Sequence, residues 1–143
     1  VHSLQRRLPS GLTPRAYLDA HAPPLEAMMV ERHVALLAHP TLLPLEYRAL
    51  PLEELWTEPL EERAAEALHR AGVAFEISNR YRPHERFVRR AAQAGVRISL
   101  GSDGHTLGQV ADLAWPLEVA RAAGVRDEDL YDPLVHGSKT GAR

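Results

Sequence analysis

The sequence predicts an α/β fold with parallel strands, and two observations carry that prediction. The first is a unit that occurs twice: a helix rich in Ala and Arg, an Ala-Gly-Val junction, and a short apolar strand. One copy is Glu61 to Arg70, Ala71-Gly72-Val73 and Ala74-Phe75-Glu76-Ile77-Ser78; the other is Glu85 to Gln93, Ala94-Gly95-Val96 and Arg97-Ile98-Ser99-Leu100. Helices that alternate with short buried strands are the pattern of a parallel sheet, because each parallel crossover needs a helix. The second is scale. At 143 residues, 45% hydrophobic and 25% charged, the chain is one ordinary domain with a real core, but shorter than the roughly 250 residues of a closed (β/α) barrel.

Each element follows from local chemistry. Residues 1 to 14 hold Pro9, Gly11 and Pro14 among polar residues and read as a loop. A helix is expected after Thr13-Pro14, a cap followed by proline in the first turn, running toward Glu31 with an interruption near Pro23-Pro24. His33-Val34-Ala35-Leu36-Leu37-Ala38 is an apolar run of strand length, stopped by His39-Pro40 because proline cannot continue the ladder. Prolines 44, 51 and 59 cut the next stretch into loop with a brief helical turn around Leu52 to Trp56. In the two repeated units, Gly72 and Gly95 sit where a helix closes in the left-handed conformation. A third junction, Ala123-Gly124-Val125, closes a helix expected from about Leu107, with acidic Asp127-Glu128-Asp129 after it in place of a strand. Residues 1–132 read as the folded unit, and 133–143, without periodicity, as a flexible tail.

Composition removes several function classes. Zero cysteines exclude disulfides, thiolate metal sites and cysteine nucleophiles, so a metal would be held by His, Asp or Glu, and eight histidines are available. A formal net charge of -2 gives no basic field for nucleic acid, which is an unsupported partner. No apolar run approaches the ~20 residues that cross a bilayer, so no membrane partner is expected. The first residues lack the order of a signal peptide, and the expected location is cytoplasmic.

In parallel α/β folds chemistry gathers at the carboxyl ends of the strands, where loops converge. Three such ends are legible: Ala38-His39-Pro40, Glu76-Ile77-Ser78-Asn79, and Gly101-Ser102-Asp103-Gly104-His105. Asp103 and His105 are two apart on backbone leaving a strand, flanked by glycines that permit a tight turn and close approach of a ligand. A carboxylate and an imidazole so placed can both ligate Zn, Mn or Fe, or the carboxylate can orient the imidazole as an acid/base. The bland alternative is a capping Asp beside an exposed turn His. His39 ends a neighbouring strand on the same rim, and its bland alternative is a core histidine. Glu76 is either a hydrogen-bond partner of the site or an inward ion pair. Arg80 and Arg82 follow the strand end and can each grip a phosphate dianion, or stand as solvated loop arginines. His21, His33, His69, His84 and His136 lie on predicted helices, a strand start or the tail and read as structural.

Leu37-Ala38-His39-Pro40, Phe75-Glu76-Ile77-Ser78-Asn79 and Ser99-Leu100-Gly101-Ser102-Asp103-Gly104-His105 resemble, in order and spacing, successive motifs of the PHP (polymerase and histidinol phosphatase) family. Val1-His2-Ser3-Leu4 is similar to the end of an earlier family motif that supplies a metal-binding histidine. The resemblance covers about residues 1 to 130. It implies the C-terminal part of a distorted (β/α)7 TIM-like barrel whose rim binds up to three divalent ions and hydrolyses phosphoesters with hydroxide generated on the metal. His2, His39, Asp103 and His105 would be the metal ligands, and Asp103 and His105 also the catalytic pair; beside the resemblance, Arg80 and Arg82 at the strand end are the candidate substrate-binding residues. The substrate would be a small phosphorylated metabolite such as histidinol phosphate, or a nucleotide.

The family's opening His-x-His and bridging glutamate have no counterpart here, so the missing ligands would come from an N-terminal half or from self-association. Two other readings stay open: a degenerate PHP domain that binds without catalysis, and a metal-dependent amide hydrolase on a similar barrel.

Overall fold

A computed structural model of the chain describes residues 11–31 and 34–137. His2 and His33, and the tail from Ser138, lie outside the described residues. The described chain is a mixed α/β structure: an open, three-stranded parallel sheet in the order β1-β2-β3, with six helices. The elements are α1 (Pro14–Glu31), β1 (Leu36–Leu37), α2 (Leu52–Leu55), α3 (Glu58–Ala71), β2 (Ala74–Ser78), α4 (Glu85–Gln93), β3 (Ile98–Gly101), α5 (Ala114–Ala122) and α6 (Pro133–His136), with short 3-10 turns at Leu45–Tyr47, Leu107–Gln109 and Asp127–Asp129.

The three Ala-Gly-Val junctions build one motif each time. Gly72, Gly95 and Gly124 have φ of 61°, 77° and 79°. The following valines reach back to helix carbonyls, Val73 to Leu68 at 2.9 Å, Val96 to Ala91 at 3.0 Å and Val125 to Ala120 at 2.9 Å. Each glycine N–H also bonds three residues back, which completes the Schellman closure and aims the chain into the next element. After Gly72 and Gly95 that element is a strand; after Gly124 it is the acidic 3-10 turn, followed by a single parallel bridge of Leu130 to Ile98.

Pairing fixes which strand ends meet. Leu36 and Leu37 of β1 lie opposite Ala74 and Phe75 of β2, and Glu76, Ile77 and Ser78 lie opposite Ser99, Leu100 and Gly101 of β3. Phe75, Ile77 and Ile98 are fully buried against Leu68 of α3 and Phe87 and Val88 of α4. The Phe87 ring meets Phe75 edge-on and Trp56 at a tilt, both at 5.0 Å between centroids. Each such side chain contributes about 1.5–3 kcal/mol of burial, so this seam between sheet and helices is what holds the rim in place.

Four elements differ from the sequence expectation: β1 is limited to Leu36–Leu37, α6 forms at Pro133–His136 in the stretch read as a tail, and two further helices differ in extent. Helix α1 runs unbroken across Pro23-Pro24, with Leu18 and Met29 both buried in the same core. The helix expected from Leu107 begins instead at Ala114. Pro116 explains this: in a longer helix its ring would strike the preceding turn, whereas at the third position of α5 it is tolerated. Ala111, at a φ of 61°, also breaks any helix begun at Leu107.

A buried charge cluster fastens α2, α3 and α4 together. Glu61, in the first turn of α3 and fully buried, receives His84 Nε2 at 2.5 Å and Arg86 Nε at 3.1 Å on both carboxylate oxygens. The same guanidinium donates to the carbonyls of Glu53 at 3.0 Å and Trp56 at 2.6 Å. Burial by itself pushes the Glu61 carboxyl up, but the hydrogen bonds and charges of Arg86 and His84 outweigh it and hold the group below the usual carboxylate range.

Candidate functional site

The carboxyl ends of β1, β2 and β3 are adjacent, and the fold joins their loops by specific bonds. Asn79, just past β2, donates its backbone N–H to Gly101 O at 2.7 Å and its side-chain amide to Asp112 O at 3.0 Å. On the other side the Thr41 hydroxyl, on a residue only 2% exposed, donates to Tyr81 O at 3.4 Å. The loop after β2 is thus tied to both neighbours.

Glu76 occupies the middle of this rim. Its position opposite Ser99 puts its side chain on the sheet face that it shares with Gly101. One carboxylate oxygen accepts the backbone N–H of His39 at 2.7 Å. The other lies directly over Gly101, where a Cβ would collide with it. Glu76 therefore spans all three strands: it is rooted in β2, covers β3 and holds the residue that ends β1. This is the first of the two alternatives for Glu76, a hydrogen-bond partner of the site.

His39 leaves β1 with a φ of 36°, a left-handed conformation that costs a non-glycine residue about 1 kcal/mol or more. A turn closed by Leu42 N–H on His39 O at 2.9 Å and the Glu76 bond hold it there. Its ring meets Tyr81 edge-on at 5.0 Å. It also lines a cavity of about 220 Å³ between α1, α3 and β1, walled by Leu18, Met29, Leu37 and Trp56.

Asp103 has the same peculiarity at the end of β3, with a φ of 46°. Its Oδ2 is buried and has no hydrogen-bond partner among the described residues. An unpaired buried carboxylate oxygen costs about 1–3 kcal/mol. His105 sets its ring against the same residue. Its Nδ1 lies 2.8 Å from the Asp103 carbonyl oxygen and 3.8 Å from Oδ1. A carbonyl only accepts, so in the neutral ring Nδ1 carries the proton and Nε2 keeps its lone pair, the tautomer that a metal ligand or general base requires. The His105 backbone N–H donates to Gln109 Oε1 at 3.1 Å. Gly104 permits this folded loop, since a Cβ on it would stand 2.7 Å from the Gln109 carbonyl.

The arginines divide. Arg82 is held by Asn79, with Nε on its carbonyl at 3.0 Å, and lies over the Trp115 ring at 5.0 Å. Arg80 lies against the Tyr81 ring at 5.7 Å.

His39, Asp103 and His105 are thus placed on one rim, and His2 lies outside the described residues. Imidazole nitrogen and carboxylate oxygen suit Zn, Mn or Fe, and the unpartnered Asp103 oxygen and the free Nε2 of His105 are donors of the required kind. Among the described residues no group of three or more His, Asp or Glu side chains stands close enough to enclose an ion. No helix among them is long and apolar enough to cross a membrane.

The residues that sequence reasoning passed over are Tyr81, which packs on His39, and Arg48. Arg48 is brought from 32 positions upstream of Arg80 to the same Tyr81 ring, at 5.5 Å. Neither stands in a motif, and only the three-dimensional fold joins them. Comparison with known proteins adds no relative: no family model, no curated protein and no solved structure matches the chain.

Proposed function

We propose that this chain is the C-terminal part of a PHP-type, metal-dependent phosphoesterase, its three strands being the last strands of a distorted (β/α)7 barrel. The observation that carries the reading is conformational. Among the described residues only His39, Asp103 and Ala111 are left-handed without being glycine, and the first two are the strand-end residues expected to ligate metal. Backbone strain of this kind clusters at functional sites, and here it coincides with a buried Asp103 Oδ2 that has no partner among the described residues.

In this reading His39, Asp103 and His105 hold divalent ions together with His2. Such ions, when bound, supply positive charge to phosphate oxygens and a hydroxide nucleophile near neutral pH. The chain's own residues do the rest. Glu76 fixes His39 through its backbone, the Asp103 carbonyl fixes the His105 tautomer, and Arg80 and Arg82 offer guanidinium groups to phosphate groups of the substrate. The substrate class is a small phosphorylated metabolite or a nucleotide.

The test is metal-dependent turnover. Chelator-treated protein reloaded with Mn or Zn should bind at least two ions per chain and hydrolyse p-nitrophenyl phosphate. Less than one ion per chain and no hydrolysis favours the degenerate, non-catalytic domain, and hydrolysis of an amide or lactone in place of the phosphoester favours the amide hydrolase.

A further inference from the structure

Beside His39 the fold forms a second cavity, of about 230 Å³, lined in part by Thr41, Arg48, Arg80, Tyr81 and Arg82. Its charge is uncompensated. No carboxylate lines it, and among the described residues none pairs with Arg48, Arg80 or Arg82, whereas Arg63, Arg86, Arg90 and Arg126 each have an acidic partner. Two of these guanidiniums, Arg48 at 5.5 Å and Arg80 at 5.7 Å, approach the one Tyr81 ring. Arg48 spends only its Nε, on Leu43 O at 3.2 Å. Arg80 makes no hydrogen bond or ion pair within the described residues, so its planar fork of donors is free.

Like charges gathered on one ring repel each other, and the ring quadrupole offsets that only in part. An oxyanion in the cavity that both residues line offsets this repulsion and takes charge-assisted bonds from their guanidinium groups. The ring that carries the pair is the ring that packs on His39 at 5.0 Å, so the cavity adjoins the candidate metal site without sharing its ligands.

We propose that Arg48 and Arg80, set on Tyr81, form an anion-binding subsite that takes a second phosphate-class group of the substrate, apart from the ester that is cleaved. The substrate assignment rests on the phosphoesterase reading; the anion site itself does not.

The experiment separates the two. Calorimetric titration with inorganic phosphate and with glucose 6-phosphate, in the presence of a chelator, reads the subsite without metal. Both probes should bind, and Arg80→Ala should weaken both on the order of tenfold, the loss of one charge-assisted hydrogen bond. Arg48→Lys, which keeps the charge but loses the fork, should weaken them less. Arg80→Ala removes no hydrogen bond or ion pair among the described residues and only a ring contact worth at most about 1 kcal/mol, so its melting temperature should move little. Unchanged affinity in Arg80→Ala, or binding of inorganic phosphate with exclusion of glucose 6-phosphate, overturns the assignment. Phosphate binding in chelator by a chain that fails to bind Mn or Zn would retain the subsite and overturn the phosphoesterase reading instead.

Discussion

The carboxylate of Glu76 accepts the backbone N–H of His39 at 2.7 Å, so a residue in the middle of β2 fixes the left-handed end of β1. The bond is charge-assisted and worth about 1.5–3 kcal/mol where it is shielded from water. Glu76→Ala removes it and frees His39 to relax toward an ordinary φ. In the metal-binding reading, affinity should fall about 10–100-fold, as it does when a partner that orients a ligand is lost. Glu76→Gln keeps an acceptor oxygen and should fall between. Titration with Mn followed by calorimetry reads both.

Gly101 should report the same linkage from the opposite strand. A methyl group at that position collides with the Glu76 side chain, which must swing aside and give up its bond to His39, so Gly101→Ala should cost about 1.5–3 kcal/mol by urea denaturation. Once displaced, the carboxylate no longer holds His39. Metal affinity should therefore drop as in Glu76→Ala, and the double variant should be no worse than either single one. Additive losses would show that Gly101 acts by some route other than Glu76.

Asp103 should show the opposition of stability and function expected of a strained functional residue. Asn tolerates the left-handed backbone nearly as well as Asp does. Asp103→Asn also removes the charge from a carboxylate whose Oδ2 is buried and unpaired. The variant should be as stable as the parent or more so by up to about 1 kcal/mol, while metal binding and hydrolysis are lost. A marked fall in melting temperature with metal binding intact would make Asp103 a structural cap.

Glu61 governs how stability depends on pH. Its carboxyl is held below the ordinary range in the folded chain by Arg86 and His84, against the cost of its burial. A group with a lowered folded pKa contributes stability that is present above its unfolded value and is lost as pH falls through the folded value. Urea midpoints should therefore drop as the solution is acidified below about pH 4. Glu61→Gln should lose that part of the acid dependence and be destabilised near pH 7 by about 3–5 kcal/mol, because Arg86 and His84 remain without their buried partner.

Much of this structure can be traced to local chemistry in the sequence. The Ala-Gly-Val junctions mark helix ends because only glycine enters the left-handed closure without cost, and all three form it. His39, Asp103 and His105 were expected at strand ends, and the parallel pairing brings those ends to one rim. What the sequence hides is what depends on distant contacts. Glu61 and His84 are 23 residues apart, and Glu61 reads as an ordinary acidic residue in a first helical turn until the fold buries it. Arg48 and Arg80 acquire meaning only through the Tyr81 ring between them. The left-handed angles of His39 and Asp103 are equally hidden, since His and Asp are enriched in such a backbone but adopt it in only a minority of cases.

The central claim, that the rim carrying His39, Asp103 and His105 binds divalent metal for phosphoester hydrolysis, is tested most directly by one titration. Chelator-treated protein is titrated with Mn or Zn, alongside His39→Ala and Asp103→Asn. At least two ions should bind per parent chain, with loss of binding in each variant and melting temperatures at or above the parent's in Asp103→Asn. Identical metal binding by the parent and both variants, or none by the parent, would contradict it.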